Sequence, residues 1–292
     1  MNTVHTELTS GQVTSRDGTE IGYLTTGSGP AVVLLHGSNE SARSHLGLAR
    51  ALADKFTVYL PDRRGRGLSG PHRQGHDMAT EVDDLTAVLD MSGAQRVFGV
   101  SVGGMIVLAA ARNRPQLHKV AVYEPALVVD GESQLRWVER FDREMAEGKV
   151  SAALVTSMFG VEMAPAVFKL VPRRWLAALT DRMLAAEERK ATPDTITMRT
   201  LAPTLRYEGL LLAEMAGTAE TFAEVAADVL IMAGSKGLAG LRTGTGQLAA
   251  AFPHVRRVEF PGLDHGGSSD VSVTNRAGKP EIVAAELRDF LA

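Results

Sequence analysis

An α/β fold, built on a doubly wound and mostly parallel sheet with an inserted helical segment, is predicted by three features of this sequence. Apolar strand-like runs alternate with helical stretches, a helical interruption of about 95 residues follows Pro125, and the alternation then resumes. A hairpin opens the chain: residues 11–18 (GQVTSRDG) and 19–27 (TEIGYLTTG) alternate as strands and meet at Asp17-Gly18, a two-residue turn signal. Residues 31–37 (AVVLLHG) form a continuous apolar run of the kind covered on both faces, and 41–55 carry helical spacing. Strand 56–62, helix 78–93, strand 96–101, helix 103–116 and strand 119–125 continue the rhythm of right-handed βαβ units.

Residues 126–222 read as the insertion, with helical periodicity in 134–149, 151–160 and 172–190, so the core is expected to comprise 1–125 and 223–292. After it come 220–227, strand 228–235, helix 246–252, strand 255–262 and a closing helix from Glu281; the Gly-rich stretch 234–246 (GSKGLAGLRTGTG) reads as a loop.

Composition narrows the function classes. The 292 residues are 45% hydrophobic and 22% charged, within the range of ordinary globular proteins. Lys and Arg number 31 against 34 Asp and Glu, and the formal charge of −3, without a basic run, argues against a nucleic-acid partner. The start of the chain lacks a basic, apolar leader, and no apolar stretch is long enough to span a bilayer, so a cytoplasmic protein without a membrane anchor is expected. With no cysteine, thiolate catalysis, disulfides and Cys-ligated metals are excluded, and any nucleophile must carry oxygen or nitrogen.

The sharpest motif is Gly99-Val100-Ser101-Val102-Gly103, a G-x-S-x-G at the junction of strand 96–101 and the following helix. A serine there sits on a tight turn whose flanks must be small because strand and helix backbones approach closely. It faces a helix N-terminus, whose free N–H groups and dipole favour a developing oxyanion. A Gly-rich turn with a capping serine would account for Ser101 without chemistry. Two further segments accompany it: His36-Gly37-Ser38 closes strand 31–37, and Asp62-Arg63-Arg64-Gly65-Arg66-Gly67-Leu68-Ser69 follows the next strand.

In these segments the chain resembles the α/β-hydrolase superfamily over nearly its whole length, as a capped serine esterase-like member. The resemblance implies Ser101 as nucleophile and an oxyanion hole made by the backbone N–H groups of Ser38 and Val102, beside Gly37. His36, Asp62 and Arg66 match loop segments and are expected to brace them rather than react. Because the family's triad runs serine, acid, histidine, the base belongs late, and His265 in Gly262-Leu263-Asp264-His265-Gly266-Gly267 stands after the last strand. The other candidates among the eight histidines, His5, His45, His72, His76, His118 and His254, are expected at the surface.

The acid departs from the family pattern. Most members carry it after the strand matching 228–235, yet residues 234–240 contain no carboxylate. Asp228 lies at the opposite end of that strand, and Asp264 adjoins His265, where neighbouring side chains diverge. Some relatives place the acid one strand earlier; here that position is Glu124, at the C-terminal end of 119–125, where the catalytic groups of open α/β sheets collect. Glu124 is therefore the expected orienting acid. A glutamate bonded to the insertion's first turn, or a Ser-His dyad, are the competing readings.

The insertion matches the family's cap and is expected to be mostly helical over the sheet edge bearing Ser101. Trp137, Phe141, Met158, Phe159, Trp175 and Met183 should mainly pack its helices, with some lining an adaptable apolar pocket. The expected activity is hydrolysis of an ester, thioester or lactone of a hydrophobic small molecule through an acyl-enzyme, with no metal or organic cofactor implied. A non-catalytic, receptor-like binding member, and a C–C hydrolase or cofactor-free lyase using the same Ser-His site, are the alternatives. Oligomeric state, a homodimer included, is left open.

Overall fold

The computed structural model describes residues 7–128, 130–161, 164 and 166–292. The chain divides into two compact units, Met1–Leu127 with Thr218–Ala292, and Val128–Gly217.

The first unit is built on an eight-stranded sheet of order β1-β2-β4-β3-β5-β6-β7-β8. Its strands are β1 (Thr9–Thr14), β2 (Glu20–Gly27), β3 (Ala31–Leu35), β4 (Thr57–Pro61), β5 (Arg96–Val100), β6 (Lys119–Tyr123), β7 (Asp228–Gly234) and β8 (Arg256–Phe260). The hairpin β1–β2 and the β2–β4 pair are antiparallel, and all pairs from β4 to β8 are parallel. Its helices are α1 (Leu46–Leu52), α2 (Met78–Ser92), α3 (Val102–Arg112), α9 (Ala239–Ala251) and α10 (Pro280–Phe290). The period of two along each strand splits the apolar residues between the sheet's faces. Val32, Leu34, Phe98, Val100, Ala121, Tyr123, Leu230 and Met232 join a core with Leu48 and Leu52 of α1 and Val283 and Leu287 of α10. Their sequence neighbours Val33, Leu35, Val97, Val120, Val122 and Ile231 are equally buried toward the other face, which is why these strands read as continuous apolar runs. Each buried Val, Leu, Ile, Phe or Met side chain among them contributes roughly 1.5–3 kcal/mol.

Local signals set the helix ends. Asp77 caps α2 by accepting the Thr80 N–H at 2.8 Å, and Gly93 ends it in the left-handed region at φ 66°. The stretch expected to be a loop, 234–246, is helical from Ala239 onward as the first turns of α9. Its glycines lower helix propensity, but Gly244 lies where a Cβ would come 2.0 Å from the Leu127 carbonyl oxygen, so the close approach of backbones requires what the composition disguised as a loop.

The second unit consists, among the described residues, of α4 (Gly131–Ala146), α5 (Val150–Gly160), α6 (Arg173–Glu188), α7 (Met198–Leu201), α8 (Leu205–Met215) and short 3-10 turns. Its core joins Trp137, Val138, Phe141, Leu154, Leu184 and Leu205. The indole of Trp137 fits two glycine notches: a Cβ at Gly160 would lie 2.1 Å from its Cγ, and one at Gly209 would lie 2.6 Å from its Cζ2. Trp175 on α6 is 65% exposed, so it does not pack these helices as expected for the unit's aromatics. No helix among the described residues is long and apolar enough to cross a membrane.

Candidate active site

The C-terminal edge of the parallel strands gathers the chemistry-bearing residues. β5 and β6 pair in register through Val100 and Tyr123, so the next residue of each strand, Ser101 and Glu124, emerges at the same level. Both adopt left-handed backbone, with φ 53° at Ser101 and φ 42° at Glu124, a conformation that costs a non-glycine residue on the order of 1–3 kcal/mol. The surroundings hold it in place. The Ser101 N–H donates to the Tyr123 carbonyl at 3.0 Å, and the Ser101 carbonyl accepts from Gly104 and Ala126 at 3.0 and 3.1 Å. The Glu124 N–H donates to Met232 at 2.8 Å.

The glycines of the turn are demanded by contact. A Cβ at Gly99 would sit 2.5 Å from the Gly103 carbonyl oxygen, and one at Gly103 would sit 2.4 Å from the His36 carbonyl oxygen. A Cβ at Gly37 would fall 3.1 Å from the Ser101 Cβ. The His36–Ser38 segment thus lies directly against the start of α3. Val102 opens that helix, where helical geometry leaves the first N–H groups without an intrahelical acceptor. The segment that carries Ser38 and the helix start at Val102 therefore adjoin each other beside Ser101.

His265 follows β8, and its Nδ1 lies 2.8 Å from Glu124 Oε2. Glu124 is 1% exposed, and its other oxygen, Oε1, accepts the Gly234 N–H at 3.0 Å. The loop after β7, where most α/β-hydrolases carry the acid, instead packs Gly237 against this carboxylate: a Cβ there would meet Oε1 at 2.0 Å. The missing side chain is the space Glu124 occupies. Asp264 does not compete for His265, since its Oδ1 accepts the Gly266 N–H at 3.0 Å and its carbonyl accepts the Tyr123 hydroxyl at 2.7 Å. Gly237→Ala should therefore displace the Glu124 carboxylate and lower turnover by about tenfold or more, since a shift of ~1 Å costs up to ~10²-fold. Steady-state kinetics beside a thermal melt checks this; an unchanged kcat would show that the carboxylate has room to move without consequence.

The supporting residues are tied into backbone. Burial, then the charges of Arg66 and Arg63, hold the His36 imidazole well below its usual pKa, so it is neutral. Its Nδ1 meets the Gly37 carbonyl at 2.8 Å and its Nε2 accepts the Arg63 N–H at 3.1 Å, which engages both ring nitrogens in loop structure. Asp62 accepts the Ala42 and Leu68 N–H groups at 2.8 and 3.0 Å, while burial raises its pKa. Gly67 turns at φ 49°, and a Cβ there would sit 2.0 Å from Asp62 Oδ2. Arg66 donates to the Arg64 carbonyl at 2.9 Å.

Two histidines expected at the surface are buried, His45 at 1% and His76 at 8% exposure, and His72 is partly buried. His118 and His254 are exposed, and His5 lies outside the described residues. Sequence context missed the buried pair because each depends on a carboxylate from its own neighbourhood, Glu40 for His45 and Glu81 for His76, at 3.1 Å in both cases. An acidic residue five positions from each histidine was the available signal.

His72, His76 and Glu81 bring ligand-type atoms within 4.8 Å of one another. Both Glu81 oxygens, however, accept from the Arg63 guanidinium, at 3.0 and 2.7 Å. Burial raises the Glu81 pKa, but the Arg63 charge and these bonds outweigh it and hold the carboxyl well below its usual range. Burial, His76 and Arg66 push His72 down to about 3. With two guanidiniums acting on the group, its donor chemistry is that of a buried ion-pair network, which a dication would have to break.

This sheet order, the strand-turn-helix around Ser101 and the late histidine define an α/β-hydrolase, and the alpha/beta hydrolase fold family model matches residues 30–269. The chain belongs to that family. It is similar to a solved alpha/beta hydrolase from Sphaerobacter thermophilus DSM 20745, at 29% identity and a TM-score of 0.75, over 97% of this chain and 100% of that one. It is 28% identical to a pimeloyl-[acyl-carrier protein] methyl ester esterase from Xanthomonas axonopodis pv. citri, over 82% of this chain and 89% of the relative. An uncharacterized protein of Mycobacterium bovis is 36% identical over 94 residues, 31% of this chain. The match spans only 27% of that relative's length.

Proposed function

We propose that the protein is a serine hydrolase that cleaves an ester, thioester or lactone of a small hydrophobic molecule through an acyl-enzyme on Ser101. The observation that carries this reading is the buried Glu124 carboxylate 2.8 Å from His265 Nδ1, on the same sheet edge as a left-handed Ser101. With Nδ1–H donating to Glu124, Nε2 keeps its lone pair and is the nitrogen able to take a proton.

His265 Nε2 accepts the Ser101 proton as Oγ attacks the carbonyl carbon. The oxyanion is held by the Ser38 and Val102 N–H groups, fixed dipoles that need no reorganisation as charge develops. Collapse of the tetrahedral adduct returns the proton from His265 to the leaving group. Water, deprotonated by the same nitrogen, then attacks the acyl-serine and restores the enzyme. The named activity of the 28% identical esterase supports an ester-type bond.

Incubation with a fluorophosphonate should add one phosphonyl group to Ser101, detectable by peptide mass. Turnover of p-nitrophenyl esters of graded chain length should then rank acyl size. A protein that neither labels nor turns over any ester would be a ligand-binding member of the family instead.

A further inference from the structure

Glu40 follows the Ser38 loop, and its carboxylate is shared between two segments of the site. Oε2 accepts the Gly37 N–H at 2.8 Å and faces His45 Nε2 at 3.1 Å. Oε1 accepts the Ser269 hydroxyl. Gly37 precedes the oxyanion donor Ser38 by one residue, and Ser269 stands four residues after His265.

The loop bearing His265 is otherwise anchored at the same place. Asp270 donates its N–H to the Ser44 carbonyl at 2.8 Å, and both its carboxylate oxygens lie 2.9 Å from the Gly47 N–H. Asn275 ties the loop to itself through the Gly266 and Asp270 carbonyls, at 2.9 and 3.1 Å. His45 is 1% exposed and Ser269 is 4% exposed. Burial disfavours charge on both members of the Glu40–His45 pair, yet each offsets it for the other: the Glu40 charge and hydrogen bond raise the His45 pKa, and His45 helps hold Glu40 at about 2. The His45 side chain is buried and that of Glu40 is partly exposed, and a pair of this kind is a poor source of stability compared with apolar packing.

Building on the serine-hydrolase reading, we infer that Glu40, held by His45, is a positioning residue that sets the oxyanion-hole loop, gripped at the Gly37 N–H one residue before Ser38, and the His265 loop in register with each other. The carboxylate has four hydrogen-bonding sites for three donors, so it holds the His36–Gly37 peptide, the one before the Ser38 N–H, and Ser269 at one spacing. A change of ~1 Å there would move the Ser38 N–H or His265 relative to the oxygen each must meet.

Three variants read this in the full chain. Glu40→Ala should reduce kcat about 10²-fold with KM changed less than about threefold, because misplacing an oxyanion donor removes transition-state rather than ground-state binding. It should also weaken the affinity of an alkyl boronic acid, which mimics the tetrahedral adduct, by a similar factor. Glu40→Gln keeps an oxygen for the Gly37 N–H, and its amide can donate to the Ser269 hydroxyl, so kcat should recover to within about tenfold of wild type. Ser269→Ala breaks only the link to the His265 loop and should cost about tenfold in kcat, which keeps the inference open to refutation if Glu40→Ala does not fold. Fluorophosphonate labelling separates the two layers of argument. Labelling of wild type with equal labelling rates, kcat and boronate affinity in the folded variants would overturn the positioning role alone. A wild type that does not label would overturn the role together with the serine-hydrolase reading.

Discussion

Replacing Ser101 with alanine is expected to lower turnover by about 10³-fold or more while leaving the protein folded, because only the hydroxyl is lost. The backbone bonds that hold the turn run from the Ser101 N–H to Tyr123 and from Gly104, Met105 and Ala126 to the Ser101 carbonyl, and alanine makes all of them. The left-handed φ of 53° is equally strained for serine and alanine, so the substitution neither relieves nor adds backbone cost. The melting temperature should therefore stay within a few degrees, since surface and turn changes without lost packing are usually within ~0.5 kcal/mol. Residual rate above the uncatalysed reaction would come from the Ser38 and Val102 N–H groups and from binding. Hydrolysis at near wild-type rate would remove Ser101 from the mechanism, and a collapsed melting temperature would show that the hydroxyl, not the peptide, braces the turn.

Much of this architecture is legible in the chain because its strands lie under helices on both faces. Runs such as Ala31–Leu35 and Lys119–Tyr123 carry little polar interruption, and the Gly99 to Gly103 pattern can fold only where strand and helix backbones touch. The contact between Glu124 and His265 is what the family resemblance implies: residues 234–240 carry no carboxylate, and some relatives place the acid at the end of the neighbouring strand, where Glu124 stands. What resisted reading depended on partners distant or hidden in sequence. His45 and His76 look like loop histidines until Glu40 and Glu81 turn inward beside them. Helix α9 is masked by its glycines, of which Gly244 meets Leu127, more than a hundred positions away, a contact that local propensity does not register. Ser269 meets Glu40 only because β3 and β8 both end at the same sheet edge.

The Glu124→Gln variant should fold and retain its loop contacts while kcat falls by about 10²–10³-fold, less than the loss at Ser101. The reason lies in which way the amide must turn. The Gly234 N–H donates to Oε1 at 3.0 Å, so an amide placed there directs its carbonyl oxygen to Gly234 and its NH2 to His265 Nδ1. Nδ1 then has to accept rather than donate, which puts the ring proton on Nε2, the nitrogen that must receive the Ser101 proton. The opposite rotamer restores the tautomer but sets the NH2 against the Gly234 N–H, leaving two buried donors facing each other. Either arrangement also removes the negative charge that stabilises the imidazolium as it forms; in the serine-protease triad the matching carboxylate-to-amide change, which enforces the wrong tautomer, costs about 10⁴-fold. KM should change little, since no substrate contact is altered. Single-turnover acylation measured against pH, with the melting temperature as a control for folding, reads the loss directly. A variant within threefold of wild type, beside an inert Ser101→Ala, would mean that Ser101 and His265 work as a dyad and that the carboxylate serves only to anchor Gly234.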